Sequence, residues 1–379
     1  MLATPPLSLY IHIPWCVKKC PYCDFNSHES PVDIPEDAYI DVLLDDFDRD
    51  YSNCDSRDII SIFIGGGTPS LFSASGFDRI FSHIRRYGNL AENIEVTMEA
   101  NPGTAEAEKF SGFRSAGINR LSLGIQSFND KSLTVLGRIH DGKQSRLAIE
   151  TAIGAGFDNF NLDLMHGLPN QTQSNALDDL TTAISYQPTH LSWYQLTIEP
   201  NTAFYRRPPT LPLEDVLRGI QLSGEDMLSQ RGYGQYEISA FATENNQSKH
   251  NLNYWKFGDY IGIGAGAHGK ISFPASNTIM RTRKHKQPNH YMENTTDHTA
   301  ERLVVGEEDR VVEFMMNALR LKKGFSVSEF ENHSGQAFSA IAKQVDSLRQ
   351  AGLLDQLHQQ IRATPKGYHF LNNLLEEFL

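Results

Sequence analysis

Three observations on this 379-residue chain predict an α/β fold: an open, partial (β/α)6 TIM-like barrel followed by a winged-helix-like α domain. Short apolar, β-branched runs alternate with amphipathic helical stretches through the first half. The chemically unusual residues gather at one end of those runs. From residue 309 onward the strand pattern gives way to closely spaced helical segments.

Strands are predicted over 8–13, 59–64, 94–99, 120–126, 159–165 and 191–198, with helices over 36–51, 75–87, 104–116, 143–155 and 175–186. Such alternation implies parallel strands joined by right-handed crossovers, and six units suit an open barrel better than a closed barrel of eight. Residues 1–205 are assigned to this barrel, 206–308 to a region that caps it, and 309–379 to the terminal domain. That last part reads as helices over 310–321, 327–333 and 338–351, a short hairpin within 353–364, and a closing helix after Pro365-Lys-Gly. Domains of this kind often bind DNA. Eight Lys/Arg against seven Asp/Glu in residues 310–379 instead favour docking to protein or internal packing.

A net charge of -12 argues against general nucleic-acid binding, which needs a basic face. No basic stretch followed by an apolar one opens the chain, and no apolar run approaches the roughly 20 residues of a membrane span. The expectation is a cytosolic protein without a transmembrane segment. Four cysteines, three of them clustered, do not make a disulfide framework, so the compartment is expected to be reducing.

The cluster is Cys16-Val-Lys-Lys-Cys20-Pro-Tyr-Cys23. Three thiolates can hold three irons of a cubane iron–sulfur cluster and leave the fourth iron open to a small molecule. The alternative is a zinc knuckle completed by Asp24, His12 or His28. Structural zinc usually takes its ligands as two separated pairs, and no second pair is present. Cys54, in Ser52-Asn-Cys-Asp-Ser, reads as an ordinary free thiol.

Active sites of such barrels gather at the C-terminal ends of the strands. The cysteine loop follows the first strand, Gly65-Gly66-Gly67-Thr68-Pro69 the second, and Glu99 ends the third before Ala-Asn-Pro. Gln126 ends the fourth, Asp163 lies in the fifth ahead of Gly167-Leu-Pro, and Gln195 lies in the sixth. The glycine run suits a ligand that meets bare amide N–H groups, and equally suits a tight turn. Glu99 is an acceptor for a ribose diol or an amine, or else a surface carboxylate. Gln126 and Asp163 are polar groups that would be costly to bury without partners.

Tyr10-Ile-His-Ile-Pro-Trp-Cys16, the cysteine loop, the glycine run, Glu99-Ala-Asn-Pro, Ser122-Leu-Gly-Ile-Gln126-Ser-Phe and Asp163-Leu-Met-His-Gly-Leu-Pro together resemble the radical S-adenosylmethionine (SAM) superfamily, in the branch related to oxygen-independent coproporphyrinogen III oxidase. The resemblance implies a [4Fe–4S] cluster on Cys16, Cys20 and Cys23 whose open iron takes the amino and carboxylate groups of SAM. It places Tyr10, Tyr22, Gly66, Gly67, Thr68, Glu99, Gln126, Arg138 and Asp163 around SAM. Two departures from the oxidases stand out: Phe25 occupies the position of their further cysteine, and the first cysteine comes at residue 16, without their longer leading segment. Both features resemble the haem chaperone group, HemW.

His250-Asn-Leu-Asn-Tyr254-Trp255 matches the His-Asn-x-x-Tyr-Trp motif of that group, associated there with haem. An imidazole can ligate iron and the aromatics can stack on a macrocycle, although a His beside aromatics is more often a hydrogen-bonded core residue. The resemblance therefore implies a chaperone that binds the cluster, SAM and haem and delivers haem to respiratory haem proteins, with a dimer left open. The alternative it leaves is coproporphyrinogen III oxidation by a 5′-deoxyadenosyl radical. Outside these motifs, Arg281-Thr-Arg-Lys-His-Lys286 reads as solvated surface, or as a seat for haem propionates or an acidic partner. The glycine-rich stretch 261–269 passes close to a ligand or to backbone but lacks the preceding strand and following helix of a dinucleotide fingerprint.

Overall fold

The computed structural model describes residues 2–103, 109–294 and 296–379. Its first six long strands are β1 (Leu7–Ile13), β2 (Asp58–Gly66), β3 (Asn89–Ala100), β4 (Arg120–Gln126), β5 (Phe160–His166) and β6 (His190–Gln195), parallel neighbours in chain order. They are buried on both faces: Leu9, Ile11, Ile13, Ile62 and Ile64 are fully buried on one, and the alternating Ser8, His12 and Ser61 are buried on the other. β3 starts at Asn89 rather than at 94, and β6 stops at Gln195 rather than at 198.

The helices between them are α1 (Glu36–Tyr51), α2 (Ala74–Tyr87), α3 (Phe110–Ala116), α4 (Gly142–Gly154) and α5 (Gln173–Ser185). The helix expected over 104–116 is seen from Phe110; residues 104–108 lie outside the described residues. α1 turns Tyr39, Ile40, Leu43 and Phe47 onto the sheet at helical spacing, each such side chain contributing about 1.5–3 kcal/mol. Side chains fix the starts of the others. Ser73 Oγ accepts from Gly76 N at 2.9 Å before α2, and reciprocal capping boxes, Asp141 with Gln144 and Thr172 with Asn175, open α4 and α5.

Residues 206–308 extend the same sheet at both edges. After helix α6 (Glu214–Gln230), β7 (Gly234–Gln235) and β8 (Ala240–Ala242) add antiparallel beside β6. Helix α7 (Lys249–Trp255) leads to β9 (Asp259–Ile263), which pairs parallel with β1, and then to the antiparallel strands β10 (His268–Phe273), β11 (Thr278–Lys284) and β12 (Thr299–Val304). The full order of the twelve-stranded sheet is β12-β11-β10-β9-β1-β2-β3-β4-β5-β6-β8-β7. β1 and β6 are thus both paired on their outer sides, so they cannot pair with each other and the barrel stays open.

The structure decides two sequence readings here: the glycine-rich stretch approaches backbone, and the basic run is not plain surface. The stretch 261–269 begins inside strand β9 and runs into β10, and a Cβ on Gly262 would meet the His268 carbonyl oxygen at 1.9 Å. Its glycines serve strand packing. The basic run at 281–286 is not simply solvated surface: Lys284 Nζ is buried against Asp46 at 2.5 Å and Asp50 at 2.8 Å, Arg281 pairs with Glu313, Arg283 pairs with Glu301, and Lys286 is exposed.

The terminal helices α8 (Glu307–Ala318), α9 (Val327–Ser334) and α10 (Ala342–Gln350) pack around Phe314, Phe330, Val345 and Leu348. A two-stranded ladder joins β13 (Phe325–Ser326) to β14 (Gln360–Ile361), and the hairpin expected within 353–364 reduces to one antiparallel bridge, Leu354 with Ala363. Leu2, Phe257 and Ile279 join this second core from the sheet side and hold the domain against the barrel body. No helix among the described residues is long and apolar enough to cross a membrane.

Candidate functional site

A cavity of about 590 Å³ opens over the C-terminal ends of β2 to β6, within the size range of small-molecule sites. The cysteine loop forms one wall. Residues Trp15–Cys16 pair with His28–Glu29 and close the loop at its base, and Gly67 N and Thr68 N donate to the carbonyls of Ile13 and Trp15, each at 2.7 Å. A Cβ on Gly67 would meet the Trp15 carbonyl oxygen at 2.4 Å, so only glycine permits this approach. Cys16, Cys20 and Cys23 are all partly buried and all line the cavity. Arg138 Nη1 donates to Cys20 Sγ at 3.7 Å, and Ser27 Oγ lies 3.9 Å from Cys23 Sγ. Burial pushes the Cys16 and Cys23 thiols up from their ordinary range.

These donors fit a cubane cluster. Three sulfurs share one wall, with a guanidinium and a hydroxyl placed to hydrogen-bond them, contacts of the kind that tune such clusters. Among the described residues no three His, Cys, Asp or Glu side chains are arranged around a single ion. A cluster does not need that, because each sulfur takes a different iron. A zinc knuckle does, and two of its candidate ligands are engaged elsewhere: His12 Nε2 with the Asn26 carbonyl at 2.9 Å and His28 Nε2 with that of Lys286 at 3.3 Å.

The floor is polar. Glu99 Oε2 accepts from Gly66 N at 3.2 Å, while Asp163 accepts from Ser122 Oγ at 3.0 Å and Asn161 Nδ2 at 2.8 Å. Burial first, and the nearby Asp163 carboxylate second, push the Glu99 carboxyl up to about 8; burial also raises Asp163. Gln126 sits at φ 67°, a left-handed backbone that turns it across the strand end, and its Oε1 accepts from Tyr194 OH at 2.8 Å. Arg138 Nη2 donates to Asn101 Oδ1 at 2.5 Å and to the Gly124 carbonyl at 2.9 Å, leaving its buried Nε without a partner.

Cys16, Cys20, Cys23, Tyr22, Gly66, Gly67, Thr68, Glu99, Gln126, Arg138, Asp163 and Trp255 thus meet at one cavity. Tyr10, His250 and Tyr254 do not line it. Tyr10 OH lies 2.9 Å from His12 Nδ1, with its ring on Phe63. α7 turns His250 and Asn253 inward at helical spacing: His250 Nδ1 meets Ser61 Oγ at 3.1 Å, its backbone N–H donates to Glu95, and burial lowers its pKa to about 3. Tyr254 packs against Trp255 and Tyr260 and is partly exposed.

The residues that sequence reasoning missed include Ser122, Ser192 and Tyr194. Strand alternation could have found them, since Ser122 and Gly124 share a face with Gln126, and Ser192 shares one with Tyr194. Glu237 and Arg320, which also line the cavity, carry no such signal.

Residues 10–183 match the model of the Radical SAM superfamily, and residues 305–370 that of the HemN C-terminal domain. Over 379 aligned residues, 99% of this chain and 98% of the relative, the sequence is 51% identical to the heme chaperone HemW of Haemophilus influenzae. The chain belongs to the HemW family of radical SAM proteins. Heme chaperone HemW of Escherichia coli is 48% identical over 100% of both chains. Among solved structures, this HemW-family chain is similar in fold to coproporphyrinogen III oxidase (HemN) of Escherichia coli, described as a radical SAM enzyme, with a TM-score of 0.83 at 22% identity over 99% of this chain and 90% of that one. Against that shared fold, Phe25 is 59% exposed beside the three cysteines.

Proposed function

We propose that this HemW-family protein is a haem chaperone of the cytoplasm. It holds a [4Fe–4S] cluster on Cys16, Cys20 and Cys23, SAM over Gly66, Gly67, Thr68, Glu99, Gln126, Arg138 and Asp163, and haem in the rest of the cavity, and it passes haem to recipient proteins such as respiratory haem enzymes. The observation that carries this reading is that one cavity is lined both by the three cysteines and by Trp255. The names of the relatives support it.

When bound and reduced, such a cluster supplies the electron that cleaves SAM. The chain's own residues position the ligands: Glu99 and Asp163 are acceptors and Arg138 hydrogen-bonds a cluster sulfur, while Gly66 N and Gly67 N are spent on Glu99 and the Ile13 carbonyl and fix the turn rather than the ligand. Exposed Phe25 gives an apolar rim suited to a macrocycle. In the conformation described, His250 is a packing residue between α7 and β2. It becomes an iron ligand only if α7 lifts from the sheet.

The test is a pair of assays on anaerobically reconstituted protein. A Soret band that titrates to saturation with haem, together with no conversion of coproporphyrinogen III in the presence of SAM and reductant, is the expected result. Robust porphyrinogen decarboxylation without saturable haem binding would overturn the proposal in favour of the oxidase chemistry.

A further inference from the structure

Three elements remote in sequence meet in the lining of the cavity. Glu237 comes from the turn between β7 and β8, Trp255 from the last residue of α7, and Arg320 from just beyond α8 in the terminal domain. The Arg320 guanidinium lies over the Trp255 ring, 4.2 Å from its centroid, and Arg320 Nη2 donates to Glu237 Oε2 at 3.2 Å. Glu237 is held in turn, its Oε1 accepting from Ser239 N at 3.1 Å. Tyr368 OH donates to the Arg320 carbonyl at 2.9 Å and fixes the backbone there.

Two donors in this assembly have no partner. Arg320 Nε and Trp255 Nε1 are both buried, and neither makes a hydrogen bond in the described structure. Both groups can only donate, so only an acceptor satisfies them, and a buried donor left unmet is destabilising. A guanidinium held by stacking and one ion pair is preorganised, and its Nε–H remains for an acceptor.

We propose that Arg320 and Trp255 form a carboxylate-binding subsite, through which the terminal domain holds a propionate of the macrocycle in the cavity. The subsite rests on the haem reading above and adds to it which end of the ligand lies against the terminal domain. Glu237 orients Arg320 and does not touch the ligand.

The test titrates the full-length protein with haem and, separately, with haem dimethyl ester, in which both propionates are masked, following the Soret band. Wild type is expected to bind haem roughly tenfold or more tightly than the ester. Arg320→Ala and Trp255→Phe, which keeps an aromatic ring and loses the N–H, should weaken haem binding and leave ester binding unchanged, closing the gap. Arg320→Lys keeps the charge without the fork and should also narrow it. An unchanged melting temperature in Trp255→Phe and Arg320→Lys separates lost recognition from lost folding. Equal affinity of wild type for haem and ester would overturn the subsite while leaving haem binding intact. Saturable binding of neither would overturn the haem reading, and the subsite with it.

Discussion

The four cysteines differ in what surrounds their sulfurs. Cys54 is 1% exposed, donates to the Asp50 carbonyl at 3.5 Å, and is pushed up to about 11 by burial, so it stays a protonated packing thiol. Cys16→Ser, Cys20→Ser and Cys23→Ser should each abolish the brown charge-transfer absorbance of reconstituted protein, because a three-thiolate site has no spare ligand. Cys54→Ser should retain it, and a colourless Cys54→Ser protein would refute the assignment. Glu99 gives a pH signature. Its folded pKa of about 8 lies above the ordinary 4.5, so the ligand-free protein holds the proton between those values. This group's contribution to stability is therefore full below the ordinary pKa and declines as pH rises through that window. A cationic ligand such as SAM favours the ionised form and must expel the proton. SAM affinity should therefore rise between pH 6 and 8 and level off above, by at most about tenfold per unit. In Glu99→Gln the profile should be flat and the affinity lower by roughly 10- to 150-fold. Calorimetric titration at three pH values decides it, and a flat wild-type profile would remove Glu99 from contact with the ligand's charge.

At the scale of elements, the strand-to-helix turn after β2 sets the cofactor wall. Gly66 adopts φ 111°, and a Cβ there would meet the His12 ring at 2.4 Å, while one on Gly67 would strike the Trp15 backbone. Gly67→Ala should cost about 1–3 kcal/mol and lower cluster loading, because the loop must move away from the turn. Gly154, at the end of α4, has nothing within 4 Å of an added Cβ, so Gly154→Ala should be neutral or stabilise by up to about 1 kcal/mol. Denaturant unfolding of both variants checks the contrast, and an undiminished Gly67→Ala midpoint would contradict the close approach. Helix α7 shows the same dependence on facing: its spacing buries His250 and leaves Asn251 and Trp255 at the cavity.

The whole molecule is joined by buried charges as well as by apolar surface. Lys284 on β11 reaches Asp46 and Asp50 on α1, and Tyr291 OH also donates to Asp46 at 2.6 Å. Lys270 on β10 and Arg57 ahead of β2 both pair with Asp259 at 2.9 Å. These pairs hold the added edge strands to the barrel. Lys284→Met leaves two carboxylates without their cation and should cost about 3–5 kcal/mol, read from chemical denaturation. A loss below about 1 kcal/mol would mean that apolar packing alone holds the edge.

The sequence by itself determined what depends on neighbours along the chain: six parallel strands and their helices, the cysteine loop, the glycine turn, the strand-end positions of Glu99 and Gln126, and the place of Asp163 within its strand. Each follows from a local period or from a residue type with one strong use. Only the tertiary structure decided that β9 pairs with β1, that Lys284 is buried, that His250 faces Ser61, and that Arg320 meets Trp255 and Glu237. Those contacts join segments tens to hundreds of residues apart, where hydrophobic period and turn chemistry carry no record of the partner. The free energy that fixes them comes from burial and charge pairing that exist only once the chain has closed on itself.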